Sequence, residues 1–528
     1  MSRAYRSSTE ESVEIAKLSL WLHTAQQGRK LVTLNDNIKC GNSLIDDAEI
    51  AGEKAFVWQN EFANIFSEKE KAGFDVIVGN PPYGAEMPKV AISYLIEKME
   101  KQGLSKRMSD SYLAFYIQAL SFLLKKNGFL GFITPNTWRL TASGQNFRDF
   151  ILSENFSFYH IVQHSEKVFP DATVDVDSVF LKKTSDKQFI DITIGDIRTE
   201  TSYRHRMLQK DLCQKEYINL YMTQTMCDLK KKIAEHSFFV KDFYDIKNGV
   251  KPYEKGKGKP KQTAETLKNK PFTALKQIDK TFVPLIGGSQ FHKYRLLWNK
   301  DYWIKYGKHL AAPRDKTIFE AKEKLIFRQT SDSIIGTLIG ENYVMRNNTH
   351  ILLKNEKSNI ELKALLAILN SKLVNFYYWT MNPERGEALA EVKAFHLGLL
   401  PFPKKGISEI FFAQKADEML ALNENVQSLK NRFLRRLQNS FAIEKMSRKL
   451  QFFYNYDFKV FVLELKKAKI KLSLKEQDVW NEYFLEYKNE IDSLKMDIAE
   501  TDKAIDKAVY ELYNLTEEEI KVVEKGNK

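Results

Sequence analysis

The most constraining feature of this 528-residue sequence is the stretch FDVIVGNPPYG, residues 74–84. Val76, Ile77 and Val78 form a short continuous apolar run, which is typical of a buried strand. The Gly-Asn-Pro-Pro that follows must end this strand at once, because proline fixes its own backbone and has no N–H to donate to a sheet. The sequence therefore predicts a strand that ends in a stiff polar loop, and binding and catalytic sites concentrate on such loops.

Similar apolar segments recur through the first 200 residues, with helical segments between several of them. The predicted strands are residues 37–42, 74–80, 128–134, 159–164 and 176–183. Helices are predicted over residues 9–30 and over residues 111–128, the second ending at Asn127-Gly128 as helix C-termini often do. This alternation indicates an α/β fold with a largely parallel sheet.

The character of the sequence changes twice more. After about residue 200 the elements become irregular and rich in aromatics and lysines, up to the Pro-rich stretch LLPFPKKG, residues 399–406. We therefore predict three domains, over residues 1–200, 201–405 and 406–528. In the third domain, apolar residues spaced alternately three and four apart predict coiled-coil-like helices that form an antiparallel hairpin or bind a partner. They are Met419, Leu422, Val426, Leu429 and Phe433, then Ile491, Leu494, Ile498 and Ile505.

The formal net charge of +13 favours a polyanionic partner. The segment KNGVKPYEKGKGKPKQT, residues 247–263, places lysines among glycines and prolines with only Glu254 to oppose them. A flexible basic loop of this kind suits a phosphate backbone, although a solvated surface loop has the same composition. The lysines concerned are Lys251, Lys255, Lys257 and Lys259.

Several classes of protein are disfavoured by composition. No apolar run approaches the roughly 20 residues of a membrane span, and the first residues carry no secretory h-region. Cys40, Cys213 and Cys227 form neither a disulfide framework nor a metal pattern, which fits a reducing cytoplasm. We therefore expect a cytoplasmic protein without a metal site.

The loop after the 74–80 strand offers a particular chemistry. The side-chain carbonyl of Asn80 and the backbone carbonyl of Pro81 are two acceptors, which suit the two N–H donors of an exocyclic amine. Binding both hydrogens frees the nitrogen lone pair to attack an electrophile. Tyr83 could stack on the ring that bears the amine, contributing about 1–3 kcal/mol. A base must be flipped out of a duplex to reach such a loop. Alternatively, Asn80-Pro81 is only a turn and Tyr83 is a surface aromatic residue.

The motif NPPY after a hydrophobic strand resembles the catalytic motif of amino-methylating DNA methyltransferases that use S-adenosyl-L-methionine, in particular the N6-adenine enzymes. Residues 109–140 and 167–183 resemble later motifs of the same family, and IKCGNSL, residues 38–44, resembles a cofactor motif. The resemblance implies catalytic roles for Asn80, Pro81, Pro82 and Tyr83. It also implies stacking by Phe169 on the second face of the flipped adenine, and cofactor contacts from Asn42 and Asn80. Phe169 could equally be a core residue.

Segments beyond residue 248 resemble the target-recognition domain of TaqI-like and type IIG (Eco57I-like) restriction-modification methyltransferases. They are residues 249–263, 283–298, 323–338 and 365–379. The resemblance makes double-stranded DNA the expected partner. It adds Lys293, Tyr294, Arg295 and Arg328 to the candidate DNA contacts, although each could instead form a local ion pair.

Two parts of such enzymes have no counterpart here. The Gly-rich strand end and the acidic strand end that hold the cofactor have no match, and RSSTEESVEIAKLSLWL resembles the helix that follows them. We therefore expect an N-terminal companion chain, or another restriction-modification subunit, to complete the cofactor site. The triplet EVK, residues 391–393, has the spacing of metal-dependent nucleases, with Glu384 or Glu387 as second carboxylate. No strand is predicted before them, so a chance match is favoured.

The fold class expected overall is α/β, with a partial Rossmann-like methyltransferase sheet, a mixed α+β target-recognition domain and a helical C-terminal segment. The expected function is site-specific adenine-N6 methylation of DNA. The alternatives are a catalytically inactive DNA-binding specificity module and an N6 methyltransferase of RNA or protein amides, which the large recognition domain disfavours.

Overall fold

A computed structural model describes most of the chain. The described residues are 10–25, 33–67, 72–83, 88–101, 110–152, 155–164, 168–169, 174–186, 189–196, 201–212, 217–358, 360–382, 390–441, 443 and 446–526. The chain divides into two compact units, Met1–Cys227 and Asp228–Lys528. Cys213, Gly84, Glu384 and Glu387 lie outside the described residues.

The first unit contains one sheet of six strands. The strands are β1 (Phe74–Gly79), β2 (Leu124–Pro135), β3 (Ser157–Gln163), β4 (Val176–Lys182), β5 (Phe189–Ile194) and β6 (Tyr203–Leu208), in the order β1-β2-β4-β3-β5-β6. The pairs β1–β2 and β3–β5 are parallel, whereas β2–β4, β3–β4 and β5–β6 are antiparallel. The α/β class is confirmed, but the expectation of a largely parallel sheet was wrong, because over the described residues three of the five strand pairs are antiparallel.

Helices precede, separate and follow the strands of this unit. They are α1 (Glu10–Thr24), α2 (Ala48–Ala51), α3 (Trp58–Glu61), α4 (Ala63–Phe66), α5 (Lys89–Glu100), α6 (Ser111–Ile117), α7 (Thr137–Leu140), α8 (Gln145–Ile151) and α9 (Gln209–Leu212), followed by α10 (Gln224–Glu235). One face of the sheet is closed by a core that includes Tyr116, Leu130, Trp138 and Val179. The sheet therefore buries one side of each strand against helices.

The two faces of the sheet differ in exposure. Val76 and Val78 on β1 are 58% and 77% exposed, and their neighbours across the sheet, Phe129 and Phe180, are also exposed. The Tyr159 ring lies 6.1 Å from that of Phe129 and is exposed as well. We call these five side chains the apolar sheet face. Contiguous exposed apolar side chains of this kind are uncommon and often mark an interaction surface.

Two sequence predictions differ from the structure in this unit. Residues 37–42 form turns, with a single bridge between Asn42 and Ala55 instead of a strand. The helix predicted over 111–128 ends earlier: α6 continues as a π-helix over Gln118–Leu123, and β2 begins at Leu124. The reason is pairing, because Leu124 aligns with Phe74 of β1 and is buried there.

Strands of the second unit form several small sheets. They are β7 (Ser237–Phe239), β8 (Tyr244–Asn248), β9 (Thr273–Ala274), β10 (Phe282–Ile286), β11 (Phe291–His292), β12 (Arg295–Leu296), β13 (Trp303–Lys305), β14 (Glu323–Arg328), β15 (Gly336–Gly340), β16 (Val344–Met345), β17 (Thr349–Lys354) and β18 (Pro401–Pro403). The sheet orders are β16-β10-β13-β9, β11-β12, β15-β14-β17-β8 and β18-β7. This is the mixed, strand-rich middle region that the sequence predicts.

Helices of the second unit dominate its C-terminal part. They are α11 (Val240–Phe243), α12 (Ala264–Asn269), α13 (Thr317–Glu320), α14 (Leu362–Leu369), α15 (Lys372–Met381), α16 (Ala394–Gly398), α17 (Glu409–Phe441), α18 (Arg448–Gln451), α19 (Phe458–Lys467), α20 (Leu474–Leu512) and α21 (Glu517–Gly526). Glu418 of α17 accepts a hydrogen bond from Thr501 of α20, while Phe433 stacks on Tyr483. The two long helices therefore run antiparallel, which confirms the predicted hairpin.

Two further facts bear on the organisation. β6 pairs with β5, so the first sheet extends to Leu208, beyond the boundary predicted at residue 200; the division into three domains stays a prediction. Among the described residues, no helix combines the length and apolar character that crossing a membrane requires.

Candidate active site

The loop predicted to be catalytic follows β1 directly. Gly79 ends the strand, and a Cβ atom there would lie 3.0 Å from the Phe132 ring, so only a small residue fits. Asn80 is exposed, Pro81 is buried, and Tyr83 is half-buried against the core of the first unit. The prolines therefore anchor a loop whose asparagine faces solvent.

Hydrogen bonds within this loop leave two acceptors available. The Tyr83 hydroxyl donates to Asn80 Oδ1 over 3.2 Å, which occupies one of the two lone pairs of that oxygen. Ser111 Oγ, at the start of α6, donates to the Pro82 carbonyl over 3.0 Å. The Pro81 carbonyl accepts no hydrogen bond from any described residue. Asn80 Oδ1 thus keeps one lone pair, and the roles of Asn80 and Pro81 in binding an amine stay a prediction.

The two aromatic residues expected to hold a base lie close together. The ring centroids of Tyr83 and Phe169 are 6.5 Å apart, and the ring planes are tilted by 52°. A flat base between two rings needs about 7 Å, since each stacked contact takes about 3.5 Å. The spacing therefore suits a base after a rotation that makes the rings more parallel. Burial raises the pKa of the Tyr83 hydroxyl, so it stays a donor at neutral pH.

The candidate cofactor residue Asn42 is engaged in its own turn. Its side-chain oxygen accepts from the Leu44 N–H over 3.3 Å, and its backbone N–H donates to the Lys54 carbonyl over 2.7 Å. All the described contacts of Asn42 are of this local kind. One lone pair of the side-chain oxygen is left for a ligand.

A buried ion pair supports the strand that follows the Phe169 segment, and sequence reasoning missed it. Arg139 Nε lies 2.9 Å from Asp177 Oδ2 of β4, and both side chains are almost fully buried. The same guanidinium donates to the Ile218 carbonyl and to Gln163. Because its partners are far apart in sequence, only the presence of a charge inside each apolar segment could have indicated the pair.

Basic residues of the 247–263 segment are held more firmly than the composition suggests. Lys255, Lys257 and Lys259 are exposed, while Lys251 pairs with Glu254 at 2.7 Å. Gln262 fixes the loop: it accepts from the Glu254 N–H and donates to the carbonyls of Pro252 and His309. The loop expected to be flexible is therefore held in place by the hydrogen bonds of Gln262.

The hairpin β11–β12 carries the next candidate DNA contacts. Its turn holds Tyr294 in a left-handed conformation with φ of 53°, and the ring of Tyr294 is buried. Burial keeps this ring from the surface here, and a contact between Tyr294 and DNA stays a prediction. Lys293 and Arg295 are half-buried. Arg328 of β14 hydrogen-bonds to the Phe291 carbonyl and lies over the Phe291 ring at 5.8 Å.

Comparison with known proteins shows which families parts of this chain match. Residues 7–169 match the family of Eco57I restriction-modification methylases. The chain carries an Eco57I-like methylase domain. Residues 283–402 match the TaqI-like C-terminal specificity domains, and residues 406–509 match a domain of unknown function. These matches confirm the predicted resemblance to Eco57I-like methylases and to TaqI-like specificity domains.

Two curated relatives are similar to parts of the chain. A putative type II restriction enzyme and methyltransferase, RM.MjaORFECS2P of Methanocaldococcus jannaschii, is 24% identical over 332 residues, which are 62% of this chain and 26% of the relative. The type II restriction enzyme and methyltransferase RM.Eco57I of Escherichia coli is 30% identical over 171 residues, 32% of this chain and 16% of the relative. The chain thus spans about a quarter or less of each relative's length.

Solved structures show weaker likeness. The type IIL restriction-modification enzyme MmeI in complex with DNA has a TM-score of 0.44 and 13% identity, covering 93% of this chain and 60% of that one. The type IIG restriction endonuclease BpuSI has a TM-score of 0.30 and 12% identity, covering 83% and 54%.

The nuclease-like triplet EVK lies among the described residues, whereas Glu384 and Glu387 do not. Glu391 forms an isolated bridge with Thr330, and Val392 is buried, with its carbonyl near His350 Nε2 at 2.7 Å. Glu391 thus sits in backbone pairing inside the second unit. The interpretation of EVK as a chance match stays a prediction.

Proposed function

We propose that this chain is the catalytic and recognition part of a site-specific DNA methyltransferase that methylates the N6 of a flipped adenine. One observation carries the proposal: the ring centroid of Tyr83, in the loop that carries the Asn80 side-chain oxygen and the Pro81 carbonyl oxygen, lies 6.5 Å from that of Phe169. An exocyclic amine has two donors for these oxygens, and a base plane suits the space between two rings.

The residues would share the work in a defined way. The Asn80 side-chain oxygen and the Pro81 carbonyl would accept the two N6 hydrogens, which draws the nitrogen lone pair out of conjugation with the ring. Tyr83 and Phe169 would hold the base, and the Tyr83 hydroxyl would fix the Asn80 amide through its 3.2 Å hydrogen bond. Pro82 would keep the loop rigid, with its carbonyl tied to Ser111.

The cofactor would be S-adenosyl-L-methionine, which supplies the methyl group when bound. Asn80 at the end of β1 and the free lone pair of Asn42 fit a contact with it. These are few contacts for a cofactor of that size, so we propose that a companion polypeptide or another subunit completes the pocket.

The apolar sheet face supports a companion. Among the strands of the described residues β1 lies at the edge of the sheet, and Val76 and Val78 on it are mostly exposed. An open edge beside exposed valines favours pairing with a further strand. A companion that adds a strand beside β1 and covers this face would bury the exposed rings of Phe129, Tyr159 and Phe180.

The partner acted upon would be double-stranded DNA. The net charge of +13 and the exposed Lys255, Lys257 and Lys259 favour a polyanion. A catalytically inactive DNA-binding specificity module is the second candidate, because the TaqI-like segment and the basic loop alone would serve it.

Methyl transfer separates these possibilities. Labelled S-adenosyl-L-methionine and mixed-sequence duplex DNA are incubated with the chain, with and without the product of the neighbouring upstream reading frame. Transfer only with the companion, lost in Asn80→Ala, is expected. Transfer by the chain alone would refute the need for a companion. No transfer in either case, with salt-sensitive DNA binding retained, would favour the inactive module.

The companion surface has its own matched control. Val76→Lys places a charge on the apolar sheet face and should abolish association with the companion. Val479→Lys changes a comparably exposed valine, at 66%, on the long helix α20 and should leave association intact. Equal association of both variants would contradict the proposed surface.

A further inference from the structure

Lysines concentrate in one short stretch of the C-terminal helical region. Residues 459–475 contain six lysines and one glutamate, so this stretch contributes +5 to the formal net charge of +13. The six lysines, which we call the lysine ridge, are Lys459, Lys466, Lys467, Lys469, Lys471 and Lys475. They lie in the segment that matches a domain of unknown function, outside the TaqI-like segment. The lysine ridge is therefore separate from the candidate active site.

Helix α19 turns its lysines to solvent. Phe461 and Leu465 on one side of the helix are buried in the core of the helical region. Lys459 and Lys466 are seven residues apart, which is close to two full turns, so both lie on the opposite side. Both are exposed, as is Lys467. At about 1.5 Å per residue, the exposed side from Lys459 to Lys467 is about 12 Å long.

The segment after α19 continues the lysine ridge in a fixed conformation. Ile470 and Leu472 pack against the same core, and Lys469 and Lys471, which alternate with them, are exposed. The Ile470 N–H donates to the Leu465 carbonyl over 2.9 Å, which ties this segment to the end of α19. Packing and backbone hydrogen bonds thus hold these ammonium groups outward without any ligand.

The lysine ridge has little counter-charge within the chain. Its one acidic neighbour in the stretch, Glu464, is buried, and its carboxylate accepts from Lys467 over 2.8 Å and from Ser447 over 2.7 Å. Among the described residues, no carboxylate oxygen lies within 4.0 Å of Nζ of the other five lysines. All five are exposed, so a phosphate can reach them. Like charges gathered in this way repel one another, and a bound anion would relieve that repulsion.

We propose that the lysine ridge binds the phosphate backbone of duplex DNA without reading its sequence. This rests on the proposed function, which makes DNA the partner. Lysine ammonium groups are compact point charges that suit phosphates, and phosphate contacts carry no sequence information. The exposed side of α19, about 12 Å long, corresponds to about three to four successive phosphates of one strand. A function is thereby assigned to part of the segment of unknown function.

An anionic membrane surface is a less suitable partner for the lysine ridge. A helix that lies in a membrane surface needs a free apolar side to insert. In α19 that side is already used, because Phe461 and Leu465 are buried in the protein core. Leu463 and Leu474 are exposed, but each stands singly among lysines. Charge complementarity with DNA therefore explains the ridge better.

The test measures binding of the full chain to labelled duplex DNA between about 50 and 200 mM salt. The ridge variant combines Lys459→Gln, Lys466→Gln and Lys471→Gln, which leaves the pair of Lys467 and Glu464 intact. Each lost phosphate contact lowers the salt slope by about 0.9, so the slope should fall by about 3. Over this range the wild-type affinity should then decline about 40-fold more than that of the variant. The loss should be the same for unrelated duplexes of equal length.

Two further variants serve as controls. Lys503→Gln, Lys521→Gln and Lys525→Gln together remove the same charge from exposed lysines of α20 and α21. None of these three has a carboxylate oxygen within 4.0 Å among the described residues. This variant should keep the wild-type salt slope. Replacing the three ridge positions by arginine instead keeps the charge and should also keep the slope, so a loss in the glutamine variant is a loss of charge.

The outcomes also separate this inference from the proposed function. If the wild-type chain binds duplex DNA and the ridge and control variants have equal slopes, the ridge proposal is overturned while the methyltransferase proposal stands. If the ridge variant loses binding to phosphatidylserine vesicles but not to duplex, a membrane replaces DNA as the partner. If the wild-type chain binds no duplex with or without the companion, the proposed function fails together with the ridge.

Discussion

Replacing Lys430 by methionine should stabilise the second unit at neutral pH. The pKa of Lys430 falls from 10.5 to about 8 because the side chain is buried beside Arg295. Folding therefore disfavours the charged form of Lys430 by roughly 3 kcal/mol. The contact with the Phe452 ring returns about 0.5–2 kcal/mol. Lys430→Met keeps the apolar stem and should therefore raise the free energy of unfolding by about 1–3 kcal/mol.

The pH dependence of this difference follows from the direction of the shift. Between about pH 8 and pH 10.5 the unfolded state binds more protons at Lys430 than the folded state, so wild-type stability rises with pH across this window. The advantage of Lys430→Met is therefore complete below pH 8 and shrinks towards pH 10.5. Lys324, whose pKa is also lowered to about 8, titrates in both proteins and cancels in the difference.

Urea unfolding followed by tryptophan fluorescence measures the effect. Trp480 packs in the hydrophobic core of the helical region, with its ring centroid 6.2 Å from that of Phe433, and Phe433 lies about one helical turn after Lys430. Lys466→Met, an exposed lysine of α19, should change stability by no more than about 0.5 kcal/mol. A Lys430→Met protein that is less stable than wild type at pH 7, or a difference that is the same at pH 7 and pH 10.5, would refute the reasoning.

Three further perturbations have defined outcomes. Arg139→Met leaves the Asp177 carboxylate buried and unpaired and should destabilise the first unit by about 3–5 kcal/mol, whereas Arg206→Met, which breaks an exposed pair, should change its thermal unfolding little. Gln262→Ala removes the hydrogen bonds that pin the basic loop, so amide exchange there should quicken without loss of the overall fold. In the complemented methyl-transfer assay Tyr83→Ala should lose about 5–150-fold through stacking, and Tyr83→Phe only about 2–10-fold; equal losses would contradict the stacking role.

The sequence predicted those parts of the fold that depend on neighbouring residues. Val76 to Val78 followed by two prolines predicts β1 and its loop, because apolar run and breaker act locally. The heptad spacing around Phe433 likewise predicts the helical hairpin. The segment 37–42 has strand-like composition but pairs only at Asn42, since a strand depends on a distant partner.

The sequence predicted residues of the candidate site only where they belong to a recognisable motif. The proximity of Tyr83 and Phe169 agrees with the expectation from the family motifs. Neither the Arg139–Asp177 pair nor the burial of Tyr294 leaves a local signal, because each results from packing between distant segments. Lys430 is a further case: it lies among coiled-coil residues in sequence, and only the fold brings its ammonium over the Phe452 ring.

Salt concentration should separate the two associations proposed for this chain. The apolar sheet face would bind a companion through burial of valines and aromatic rings, which moderate salt does not weaken. The basic loop would bind DNA by displacing counterions, so DNA affinity should fall steeply between about 50 and 200 mM salt. Measured by anisotropy with labelled companion and labelled duplex, companion binding should be flat over this range while DNA binding declines. A companion affinity that falls as steeply as the DNA affinity would mean that charge, and not the apolar sheet face, holds the companion, and Val76→Lys would then be without effect.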